Sequence, residues 1–115
     1  MLYNMGISKS YPIKKIINGQ EKFISDSIIV NGLNYTTNGE GVIIVKNKIN
    51  VSTITLDNTT TNHITIKSMC DTIIKTDKLI DEEYEEIQLE RFASVELKFV
   101  GDNWYVMSSD GLKNS

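Results

Sequence analysis

Apolar residues in this chain recur at every second position. No segment repeats them at i, i+3, i+4 and i+7 over three turns, so the pattern predicts strands and no substantial helix. The clearest stretch is 94–100, where Val95, Leu97 and Phe99 alternate with polar neighbours. Gly101-Asp102 follows, a two-residue loop with glycine first that suits a type II′ turn. Residues 103–107 then return. This register puts Phe99 opposite Trp104 and Leu97 opposite Val106, all on one face, which makes Leu97, Phe99, Trp104 and Val106 the predicted hairpin core. On the other face Lys98 meets Tyr105 and Glu96 meets Met107. Residues 42–45 are continuously apolar, as for a strand covered on both faces. In 49–56 the apolar parity changes near Ser52-Thr53, which predicts a bulge or bend. Ile64 and Ile66 share a face in 63–68, and 72–76 is short and β-branched. Asn18-Gly19, Asn31-Gly32 and 38–41 are turn signals, so the first 41 residues hold two or three short strands. The expectation is eight to ten short strands. Only the acidic run 81–86 competes for a helical turn, and it is too short to stand alone.

Composition strengthens the β reading. The chain has 115 residues, 17 of them isoleucine and 7 valine, against one alanine, Ala93. β-Branched side chains lose rotamer freedom in a helix and pack well on a pleated surface. The length suits one domain with a thin core. With 40% hydrophobic residues, part of the apolar surface is expected to be buried against a partner or a second copy. A net charge of −3 leaves no basic footprint for nucleic acid. No apolar run reaches the ~18 residues of a membrane span. The single cysteine, Cys70, allows no internal disulfide, which suits a reducing compartment, and the first residues lack the long apolar stretch expected of a secretory signal. The chain is expected to be made in the cytoplasm.

Candidate chemistry is sparse. His63 is the only histidine and could act as a general base given a positioned partner. It precedes a strand, as a surface polar residue would. Cys70 could pair with it as a nucleophile, but a buried thiol is the simpler reading. The run 81–86 lacks the glycine and staggered oxygens of a calcium loop and reads as a solvated face. The sequence therefore implies no enzyme, no catalytic residue, no metal and no cofactor.

One resemblance goes further. Ile54-Thr55-Leu56, then 63–67 with its Ile-Thr-Ile core, and the closing hairpin over 94–109 with its Trp104-Tyr105-Val106 and Ser108-Ser109 resemble a recurrent module of tailed-phage virion appendages. The likeness runs from about Gly41 to the end. That module often has a proline after the first alternating strand, where this chain has Asp57. The resemblance implies an all-β fold: a small β-sandwich or β-prism-like domain of short antiparallel strands, with an extended N-terminal arm, intertwined or packed as a homotrimer. It implies an attachment arm over 1–20, with Tyr11, Pro12, Ile13, Ile16 and Ile17 meeting capsid or other virion proteins, and a head over 21–115. The expected role is a short fibre or decoration protein on the capsid. Two alternatives stand beside it. One is a tail or baseplate appendage that binds a host-surface glycan through Tyr84, Tyr105 or Trp104. The other is a non-viral β-sandwich that binds carbohydrate.

Overall fold

The computed structural model describes residues 13–17, 20–24, 26–47 and 50–113. They form ten strands and no helix. The first two, β1 (Ile13–Ile17) and β2 (Gln20–Ile24), make an antiparallel hairpin that forms its own small sheet. Residue 20, where the attachment arm was expected to end, is the first residue of β2, so the hairpin straddles that boundary.

The next six strands are β3 (Ser27–Val30), β4 (Asn34–Thr36), β5 (Val42–Val45), β6 (Ser52–Leu56), β7 (His63–Ser68) and β8 (Thr72–Ile80). Sequence neighbours do not pair. Instead β3, β5 and β7 pair in parallel as one arm, and β4, β6 and β8 pair in parallel as a second. The chain alternates between arms, so three two-strand turns stack into a β-solenoid-like body. A parallel pair needs a crossover between its strands. Here each crossover is a strand of the opposite arm. The expected sandwich of antiparallel strands is thus corrected in both layer order and direction. The all-β character holds.

Inward side chains fill the space between arms as ladders. One runs Ile28, Ile43, Ile66 and Val95. Another runs Tyr35, Ile54, Ile74 and Ile87. Ile43, Ile54, Ile66 and Ile74 are wholly buried, whereas Ile28 and Tyr35, at the β3–β4 end, are only partly so. Each fully buried Ile contributes about 1.5–3 kcal/mol. In β5 only Ile43 and Val45 enter the core, and the outward Val42 and Ile44 are half-buried, so that strand is not covered on both faces. The parity change expected as a bulge or bend near Ser52-Thr53 is a bend, the corner between arms. Val51 lies outside at 48% exposure and β6 starts after it.

The antiparallel strands β9 (Tyr84–Val100) and β10 (Asn103–Lys113) close the far end. The first part of β9 pairs with β8 and its last part with β7, so it spans both arms. It turns the corner at Phe92, whose φ is +73°. Beside it β10 shifts register between Asp110 and Leu112. Gly111 sits in that shift at φ +85°, where a Cβ would come within 2.7 Å of the Ala93 Cβ. The hairpin register is as expected for Trp104 opposite Phe99, Val106 opposite Leu97 and Tyr105 opposite Lys98. Past Val106 a bulge intervenes, and Glu96 faces Ser108 instead of Met107. Gly101 has φ +66°, and Asp102 is not among the positive-φ residues, which fits a glycine-first turn. The acidic run forms a tight turn into β9, with Asp81 and Glu82 at φ 53° and 63°.

Candidate functional site

The residues singled out for chemistry do not converge. His63 opens β7, and its Nε2 lies 2.6 Å from Glu96 Oε2 on β9. The other carboxylate oxygen accepts from Ser108 Oγ at 3.2 Å. The order is therefore Ser–Glu–His, with the carboxylate in the middle. A nucleophile must bond the base itself, and here, among the described residues, the base and the hydroxyl each bond the carboxylate and not each other. These bonds, led by that from His63, hold the Glu96 carboxyl below the usual range. Cys70 follows the opposite end of β7, which is roughly 17 Å long at about 3.3 Å per residue. Its buried Sγ faces the Val45 carbonyl at 3.9 Å. The histidine and the thiol are thus not brought together. Among the described residues no group of three or more His, Cys, Asp or Glu side chains could hold a metal ion.

The hairpin residues have structural places. Leu97 and Trp104 are fully buried, with Phe99 and Val106 packed against the core. The Phe99 and Trp104 rings stand 5.3 Å apart and tilted by 58°, within the favourable range for aromatic pairs. Trp104 is consequently no exposed platform for a sugar. Tyr105 donates its hydroxyl to Glu82 at 2.8 Å, and Tyr84 packs partly on the core. Tyr11 and Pro12 lie outside the described residues. Ile13, Ile16 and Ile17 lie in β1.

Two surface features stand out. The first is a cleft of about 520 Å³ between β8 and the hairpin tip, lined by Asp77, Lys78, Glu85, Asp102 and Asn103 among others. It follows from a register break. Lys75 pairs with Glu86 and Ile80 with Tyr84, so four residues of β8 oppose Glu85 alone. Thr76 Oγ1 accepts from the Lys78 amide at 3.1 Å, and Lys78 Nζ reaches Asp102 at 3.3 Å across the mouth.

The second is the corner where each turn passes between arms. Leu33, Val51, Met69 and Phe92 occupy it at 51, 48, 39 and 55% exposure. Four exposed apolar side chains therefore line one edge of the body. Phe92 is the most exposed of them, on a left-handed backbone that bulky residues seldom adopt. The Arg91 guanidinium carbon sits 4.8 Å from the Phe92 ring centre, and Lys67 Nζ donates to the Phe92 carbonyl at 2.7 Å. On the β8 side of the corner a groove of about 190 Å³ opens between Val51, Asp71, Ile73, Gln88 and Glu90. Asp71 Oδ1 accepts the Arg91 amide at 3.2 Å, which fixes the strand at the turn.

The sequence reading missed this corner, although a signal was present. Counting from Leu89, alternation puts Arg91 inward and Phe92 outward. A charge at an inward position beside an outward phenyl marks a chain that leaves the strand direction. No protein family and no curated protein matches the chain.

Proposed function

We propose that this chain is a structural display module: a short fibre or decoration protein of a tailed-phage particle, held as a homotrimer, attached on its N-terminal side and presenting its capped end. The observation that carries the reading is the inequality of the two ends. The β9–β10 hairpin pairs with both β7 and β8 and covers one end. At the other, β3 and β4 are the outer strands of the sheet, and the β1–β2 hairpin precedes them. Sheet edges are normally covered or blocked. A partner at the N-terminal end, the particle in this reading, does so, and closed symmetric assembly covers lateral apolar surface. The closing-hairpin resemblance supplies the phage context.

The test is proteomic and microscopic. Purified particles encoded by the source genome are expected to contain the chain, with antibody labels on the capsid surface. Its absence from purified particles would overturn the proposal. Removing residues 1–20 is expected to abolish incorporation, and normal incorporation would sink the anchor role.

A second reading has its own observation, the register-break cleft. Carboxylates, an amide and an ammonium around an open gap suit a hydroxyl-rich saccharide, so a tail-borne receptor binder would use Asp77, Glu85 and Asn103. Glycan-array binding that Asn103→Ala abolishes would favour it over pure display.

A further inference from the structure

We infer that copies of this chain associate side by side, with Phe92 and Arg91 of one copy seated in the groove between Val51, Asp71 and Glu90 of the next. The inference rests on the homo-oligomeric part of the proposed function and names the surface.

Three observations meet here. First, Phe92 is 55% exposed while holding φ +73°. A bulky residue in that region is strained, and such strain gathers at functional positions. Asparagine or glycine would make the corner at less cost. Second, the groove has about the right size. A cavity of about 150 Å³ takes a benzene ring, and this groove offers about 190 Å³. Val51 and Ile73 give it apolar walls, and Asp71 and Glu90 give it negative charge. Third, knob and groove lie at the same height. Phe92 and Glu90 both belong to β9 at the capped end, and Thr72, next to Asp71, pairs with Leu89, next to Glu90.

Charge then selects the symmetry. On the knob flank the Lys67 ammonium and the Arg91 guanidinium stand at Phe92, and on the groove flank Asp71 and Glu90 line the cavity. A rotation axis running along the solenoid brings the basic flank of one copy onto the acidic flank of its neighbour. A two-fold axis across the solenoid would bring like flanks together, which costs energy. The copies therefore stand parallel, all capped ends up, through a head-to-tail contact that closes as a ring. Aromatic residues, phenylalanine included, and arginine are both enriched at interfaces relative to the rest of the surface.

The test uses the full chain and light scattering across a concentration series. Wild type is expected to be oligomeric. Phe92→Asn is expected to weaken association at least tenfold while keeping or raising monomer thermal stability, because asparagine accepts the left-handed backbone. Arg91→Glu is expected to weaken it as well, and the charge swap Arg91→Glu with Glu90→Arg to restore it. If wild type and Phe92→Asn share one oligomeric mass at every concentration, this contact is wrong although self-association stands. A wild type that stays monomeric overturns the contact and the trimer together. A chain missing from particles, yet dissociated by Phe92→Asn, overturns the virion role and supports this interface.

Discussion

The cost of a substitution depends on what each buried atom touches. Ile66 is fully enclosed between Ile43 and Val95, so Ile66→Ala should destabilise by about 2–5 kcal/mol through lost contacts and a cavity. Ser68 on the same strand is equally buried, but its Oγ has no hydrogen-bond partner among the described residues. Ser68→Ala removes an unsatisfied polar atom and should be neutral or stabilising. Urea titration of the two variants checks both signs. Gly111→Ala meets the Ala93 Cβ and the wrong backbone region at once, and should lower stability by about 1–3 kcal/mol.

Two titrations belong at the same scale. Tyr35 donates its hydroxyl to Glu40. That bond, then partial burial, then the Glu40 charge push its pKa up to about 12 from the ordinary 10.0. Its folded value exceeds its unfolded one, so the contribution is full below about pH 10 and is lost as pH rises towards 12. Tyr35→Phe should remove this alkaline slope from the stability curve. Glu96 has the opposite sign. Its pKa is lowered, so its contribution is present above the ordinary carboxylate range and fades as pH falls through it. Glu96→Gln should flatten the acid limb.

At the element scale, stacked turns contact only their neighbours, so protection should be graded along the body. Backbone amides of β7, β8 and β9 have partners on both sides and should exchange slowest. Those of β3 and β4, at the outer edges of the sheet, should exchange fastest. A flat profile from β3 to β9 would contradict the stack. This scale also shows what could be read from sequence. β7 and the hairpin were legible because Ile64, Ile66, Leu97 and Trp104 obey period two and face one core. The parallel topology was not, because alternation looks the same whichever strand lies alongside. No fixed repeat betrayed it either. Ser27 aligns with Val42 and Val42 with Thr65, so successive turns differ in length. The edge groove escaped because it joins residues from β6, β8 and β9 corners that only the stack brings together.

For the whole molecule, the stack gives the chain a direction. One end is closed by β9 and β10, the other leaves β3 and β4 at the sheet edges, and the corner of exposed apolar side chains runs along one side. The proposed attachment, display and lateral association use those three surfaces, and each proposal depends on the strands being stacked in parallel turns. Nuclear Overhauser contacts on isotopically labelled protein test this most directly. The structure requires contacts between Ile43 and Ile66 and between Ile54 and Ile74, each across a parallel pair. Backbone contacts that instead pair β5 with β6 as an antiparallel hairpin would contradict it.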